Sequence, residues 1–160
     1  MKSAPIFRIG IGQDIHRFKS SGRLMLGGVE VSNEIGVDAH SDGDVVLHAL
    51  TDALLGALGL GDIGDRFPNS DPKWKGASSD RFVKSVLDEL ERSGGSIVNI
   101  DVNIQAERPK LGAKKKLIAQ KISELANCNF VNVKAGTNEG CDSVGKGEAI
   151  QATVIVLISL

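Results

Sequence analysis

Cysteine is scarce. The chain has only Cys128 and Cys141, too far apart for a C-x-x-C motif, which excludes a disulfide framework and leaves two reduced thiols as the expectation. Long hydrophobic runs are missing too. The longest, Ala53 to Leu60 with glycine counted as neutral, is far too short to cross a bilayer. No charge of one sign prevails: 19 Lys and Arg stand against 20 Asp and Glu, a formal net charge of −1. A generic nucleic-acid binder needs a basic surplus, so that class is set aside. The first residues, Met1-Lys2-Ser3-Ala4-Pro5, hold no apolar segment of the secretory kind, and strand-like sequence begins by Ile6; a removed organelle transit peptide would leave no trace. There is no repeat, low-complexity tract or linker. The expectation is a single domain over residues 1–160, long enough to bury a core.

What is present in excess is glycine, 19 residues or about 12% against a usual ~7%, which predicts tight turns and close backbone approaches. Ile6 to Phe18 alternates as a strand, with Phe7, Ile9, Ile11 and Ile15 on one face and Gly10, Gly12, Asp14 and His16 on the other. Leu24 to Val31 reads as a hairpin arm broken by Gly27-Gly28. Ser41-Asp42-Gly43-Asp44 is a helix-start signal for a helix to about Leu58. Asp62 to Trp74 reads as loop. Further helices are predicted over Ser79–Arg92 and Ala113–Leu125, and strands over Ile97–Gln105, Phe130–Ala135 and Ala149–Ile158. The fold class is therefore α+β or an α/β sandwich, with a sheet of about four strands and helices on one side. Val154 to Ile158 is apolar on both faces, which predicts a strand covered twice, the second time by something such as another subunit.

Four constellations carry chemistry. Asp14-x-His16 points a carboxylate and an imidazole from one strand face, beside two glycines that would leave room for a ligand. The helix from Asp44 is apolar nearly all round, yet Asp44, His48 and Asp52 fall at i, i+4 and i+8. Buried ionisable groups must be paired or ligate a metal. Asp14, His16 and His48 make an O/N/N set suited to catalytic zinc with an open fourth position, and Asp44 or Asp52 could orient an imidazole from behind; an N-capping role is the plainer reading of Asp44. Charge is also divided: Glu34 to Asp71 holds eight acids and one base, whereas Arg108 to Lys121 holds six bases and no acid. That division fits phosphate held between metal on one side and lysine or N–H groups on the other, or simply a solvated helix face. Last, Lys134-Ala135-Gly136-Thr137-Asn138-Glu139-Gly140 and Gly145-Lys146-Gly147 suit a phosphate cradle with a divalent ion.

Together these segments resemble the 2-C-methyl-D-erythritol 2,4-cyclodiphosphate synthases over nearly the whole chain from Phe7. The resemblance rests on Arg8-Ile9-Gly10-Ile11-Gly12-Gln13-Asp14-Ile15-His16, on AHSDGDVVLHALTDALLGA from Ala39 to Ala57, and on Gly61-Asp62-Ile63-Gly64-Asp65-Arg66-Phe67-Pro68. Arg108-Pro109-Lys110 and Val133-Lys134-Ala135 follow in order. It implies a lyase of the non-mevalonate isoprenoid pathway, in which the 2-phosphate of 4-diphosphocytidyl-2-C-methyl-D-erythritol 2-phosphate attacks the β-phosphorus and CMP leaves. It further implies zinc on Asp14, His16 and His48, and magnesium or manganese on Glu139. His40 and Thr137 would stabilise the transition state. Asp62, Ile63 and Gly64 would hold the erythritol end under a loop of Phe67, Pro68, Asn69, Ser70 and Asp71. Ala106, Glu107, Arg108, Pro109, Lys110, Leu111 and Gly112 would hold the cytidine. Ser41, Gly136, Asn138, Ser143 and Lys146 complete the implied substrate contacts. A homotrimer with sites between subunits is implied, in a bacterial cytoplasm or a plastid-type organelle. Where many members read KATTTEKLGFTGRGEG, this chain has Ser143 for a Phe of an apolar cavity and Lys146 for an Arg, which keeps the charge but loses the bidentate fork. Two rival readings remain: a zinc phosphohydrolase, and a cytidine-nucleotide binding module with structural zinc. The latter normally needs four protein ligands, and three are found.

Overall fold

The computed structural model describes residues 4–68, 70–74 and 76–160. Its main sheet has five strands in the order β4-β1-β7-β5-β6: β1 (Phe7–Lys19), β4 (Gly36–Val37), β5 (Ser96–Gln105), β6 (Val131–Gly136) and β7 (Ala149–Ser159). Only β5 and β6 run parallel. The expected count of four misses β4, whose two residues pair with Phe18 and Lys19 and carry too little sequence to show a period. A separate hairpin joins β2 (Leu24–Leu26) to β3 (Val29–Ser32). Gly27 and Gly28 are its turn, both at positive φ (59° and 79°), rather than a break within one arm. The segment expected as loop after Asp62 holds a short helix, α2 (Ile63–Arg66), and a 3₁₀ turn at Pro72–Trp74. Asp62 caps α2 by accepting from the Asp65 N–H at 2.9 Å.

Three long helices, α1 (Val45–Leu58), α3 (Asp80–Arg92) and α4 (Lys114–Ala126), pack on the sheet face formed by Ile100, Val102, Ile104, Val154, Val156 and Ile158, all fully or almost fully buried. α1 is the central element. Asp44 caps it by accepting from the Val46 and Leu47 N–H groups at 3.1 Å, and Gly59 ends it in the left-handed region. Gly10 and Gly12 set how close it lies to β1: a Cβ on either would stand 1.9 Å from a main-chain oxygen of α1, that of Ala53 or Ala49. The two glycines therefore make room for a helix, not for a ligand as the sequence pattern had implied.

The alternation of β1 is as expected, but its apolar side faces outward. Phe7, Ile9, Ile11 and Ile15 are 58, 69, 65 and 46% exposed. Ile155 of the neighbouring β7, paired with Ile11, is 40% exposed on the same face. Among the described residues nothing supplies the second cover predicted for β7. Among the described residues no helix is long and apolar enough to cross a membrane.

Candidate metal centre and cleft

Asp14 and His16 project from β1 toward α1, where His48 sits one turn past the Asp44 cap. Asp14 Oδ2 lies 2.9 Å from His48 Nδ1 and 3.0 Å from His16 Nε2, and the two nitrogens are 3.4 Å apart. A tetrahedral zinc with bonds of about 2.0–2.1 Å separates its ligand atoms by about 3.3 Å, so this triangle fits one face of such an ion. The donor chemistry fits as well, since a carboxylate and two imidazoles offer three lone pairs to one point. Among the described residues this is the one cluster of three or more His, Cys, Asp or Glu side chains that could hold a metal ion.

Electrostatics follow from the same contacts. Burial pushes the Asp14 carboxyl up, but hydrogen bonds from His16 and His48, with their charge, more than offset it and bring it down from 3.8 to about 2. His16 is raised, chiefly by its hydrogen bond to Asp14 against the opposing effect of burial, with Asp38 adding to the rise. The expectation that Asp44 or Asp52 orients an imidazole is not met. The Asp44 carboxylate accepts from the N–H groups of Gly27, Gly28, Val46 and Leu47, tying the hairpin turn to the start of α1. Its complete burial nevertheless raises its pKa. Asp52 accepts from the Ile63 N–H at 3.0 Å and so anchors α2; burial raises it too. Main-chain N–H groups, rather than an imidazole, thus take up both carboxylates.

Beside the triad opens a cleft of about 750 Å³. His16, His40, Ser41, His48, Ile63, Gly64 and Phe67 line it, all expected from sequence. Asp38, Ala39, Trp74 and Phe82 line it too and were not anticipated. Phe67, Trp74 and Phe82 form one aromatic wall, with ring centroids 4.8–5.5 Å apart. Phe82 lies on the apolar face of the amphipathic α3, where the sequence shows only core periodicity. Asp62 is spent on capping α2, and the Asp71 carboxylate accepts from the Lys73 N–H; Pro68 and Ser70 are described but outside the cleft lining. Asn69 lies outside the described residues.

The remaining expected residues gather at the far side of the sheet. Ile15, Gln151, Gln105 and Gly136 stand in one row across β1, β7, β5 and β6. Three strand spacings of about 4.8 Å thus put His16 and Thr137, each one residue beyond the row, about 14 Å apart. The loops beyond β5 and β6 are knitted together. Ala106 N–H donates to Gly136, the Asn138 N–H to Glu107 Oε1 at 3.1 Å, and Thr137 Oγ1 to Glu139 Oε1 at 2.9 Å. Asp142 accepts from Asn138 Nδ2 and the Gly145 N–H, which folds the Ser143–Lys146 turn. Arg108 stacks over Phe18, Leu111 is buried, and Lys110, Gly112, Ser143 and Lys146 are exposed. Pro109 lies between them, half-buried. Within one chain, then, the triad and the Thr137–Glu139 loop do not share a cleft.

The YgbB family model matches residues 7–159. A 2-C-methyl-D-erythritol 2,4-cyclodiphosphate synthase of Desulfosudis oleivorans is 48% identical over 94% of this chain and 91% of its own length. The chloroplastic protein of that name from Arabidopsis thaliana is 45% identical over 95% of this chain and 67% of its own. A solved structure of a synthase of that name in a CDP-bound form superposes with a TM-score of 0.87 at 37% identity, covering 94% of this chain and 99% of the other. The bifunctional IspDF of Campylobacter jejuni gives 0.92 at 37% identity, with 98% of this chain covering 43% of that longer one. Since the match spans the triad, the cleft and both far loops, the chain belongs to the YgbB family.

Proposed function

We infer that the chain is a single catalytic domain that converts 4-diphosphocytidyl-2-C-methyl-D-erythritol 2-phosphate to 2-C-methyl-D-erythritol 2,4-cyclodiphosphate and CMP. The observation that carries this reading is the triad at the edge of a cleft, in a chain 48% identical to a synthase of that name over nearly its whole length. Asp14, His16 and His48 would hold zinc, and Glu139 a magnesium or manganese ion; bound there, the two cations would draw charge from the diphosphate and leave its β-phosphorus open to attack.

The chain's own work is positioning. An attached phosphate dianion is already a competent nucleophile, so no general base is required, and orientation with charge neutralisation dominates. His40 and Thr137 would donate hydrogen bonds where charge develops. Ser41 would bind phosphate at the mouth of the cleft. Asp62, Ile63, Gly64 and the Phe67–Asp71 loop would enclose the erythritol end against the aromatic wall. Ala106 to Gly112 would take the cytidine, with Gly136, Asn138, Ser143 and Lys146 around the phosphates.

Because about 14 Å separate the two halves, the reading needs a second chain. We propose a homotrimer in which one subunit's triad faces its neighbour's Thr137–Glu139 loop. The exposed Phe7, Ile9, Ile11, Ile15 and Ile155 support it, since a threefold assembly would bury that face. Product analysis by phosphorus NMR tests the activity: a cyclic diphosphate with free CMP supports it, whereas inorganic phosphate marks a zinc phosphohydrolase.

A further inference from the structure

The edge of His48 turned away from Asp14 meets two hydroxyls. Ser79 Oγ lies 2.9 Å from His48 Nε2, and Ser41 Oγ lies 3.1 Å from it. The two are not equivalent. Ser79 is fully buried. Its hydroxyl donates to Asp42 Oδ1, and its main-chain N–H donates to Asp42 Oδ2 at 3.0 Å. Asp42 Oδ1 also accepts from the Asp44 N–H at 3.2 Å. Each of these groups brings a hydrogen to the carboxylate, which serves as an acceptor throughout.

A hydroxyl has one hydrogen to give. That of Ser79 is committed to a carboxylate, so toward His48 it can only accept. In its neutral form His48 therefore carries its proton on Nε2, and its bare Nδ1 points at Asp14 Oδ2 and His16 Nε2. Two lone pairs facing each other at 2.9 Å repel unless a cation or a shared proton stands between them. The geometry is thus set up for a cation at that point. Ser79 opens α3 but makes no side-chain capping bond to it, so its hydroxyl is free for this other task.

We propose that Asp42 and Ser79 form a buried relay that fixes the His48 tautomer, making Ser79 a positioning residue of the metal centre. The relay spans 37 positions of sequence and ties the start of α3 to the loop before α1. It also leaves the Ser41 hydroxyl hydrogen available to a ligand in the cleft. Groups that orient a metal-bound histidine from behind typically change metal affinity roughly 10- to 100-fold when removed.

The proposal rests on the metal reading above, and the two fail separately. In the metal-free protein with the rings neutral, long-range proton–nitrogen correlation on the histidine rings should place the His48 proton on Nε2. A proton on Nδ1 overturns the relay. Chelator competition should then give a zinc Kd roughly 10- to 100-fold weaker for Ser79→Ala, recovered in Ser79→Thr, with both metal-free variants still unfolding cooperatively. Zinc binding by Ser79→Ala equal to that of the parent overturns the relay while leaving the metal centre intact. A parent protein that takes up no zinc overturns both. Should Ser79→Ala not fold, the nitrogen correlation on the unmutated protein decides the matter alone.

Discussion

Asp14 and His48, 34 positions apart, bring Oδ2 and Nδ1 within 2.9 Å because β1 and α1 touch without side chains between them. A Cβ at Gly10 or Gly12 would hold the strand off the helix. The metal centre is thus a consequence of the close approach of β1 to α1.

Gly12→Ala tests that dependence. The new Cβ would meet the Ala49 carbonyl oxygen at 1.9 Å, and a main-chain atom cannot swing aside. We expect destabilisation of about 3 kcal/mol, at the upper end of overpacking costs, together with weaker zinc binding as β1 is pushed from α1. Chemical denaturation and chelator competition on the same preparation measure both.

Replacing His16 or His48 by alanine should abolish stoichiometric zinc and activity while the circular dichroism spectrum is retained, because both side chains sit at the cleft rather than in the core. Full zinc by elemental analysis in either variant would remove that residue from the ligand set.

The triad also predicts the acid limb of stability in the metal-free protein. Asp14 is held at about 2 in the fold against 3.8 ordinarily. A depressed folded pKa contributes stability that is present above 3.8 and lost as pH falls through about 2, on the order of 2 kcal/mol. Urea unfolding of Asp14→Asn should show that pH dependence missing. Zinc uptake releases a proton as well: His16 is raised and must shed its proton to ligate, so affinity should fall as pH falls.

Glu139→Gln should raise the concentration of magnesium needed for activity and lower kcat, with zinc content unchanged, since Glu139 is not part of the Asp14–His16–His48 triad. A magnesium titration that superposes on the parent would take the second cation elsewhere.

Assembly is checked by complementation. His48→Ala and Thr137→Ala chains, each nearly inactive, should partly recover activity when unfolded together and refolded, because some mixed oligomers hold one intact site. Mixed oligomers proven by mass spectrometry but inactive would put both groups to work from one chain, and a monomer by light scattering would refute the trimer.

Much of this was legible in the sequence, for reasons that differ residue by residue. The triad could be read because β1 has a period of two and α1 begins at a strong capping signal, so Asp14, His16 and His48 acquire faces before any contact is known. What period cannot supply is the sign of a face. The apolar side of β1 proved to be the exposed one, because α1 is received by glycine rather than by isoleucine. Asp44 and Asp52 looked like partners for an imidazole, but main-chain N–H groups claim both. Ser79 and Asp42 escaped notice since only tertiary packing brings α3 to the back of His48, and a serine at a helix start otherwise reads as a cap.

The central claim is that phosphoryl transfer takes place within the substrate. A turnover in oxygen-labelled water, followed by phosphorus NMR and mass spectrometry of the products, tests it most directly. Attack by the substrate's own 2-phosphate breaks the bond between the β-phosphorus and CMP without taking up solvent oxygen, so both the cyclic diphosphate and CMP should be unlabelled. Label in any phosphate product, or inorganic phosphate in place of the ring, would mean that water is the nucleophile and would contradict the account.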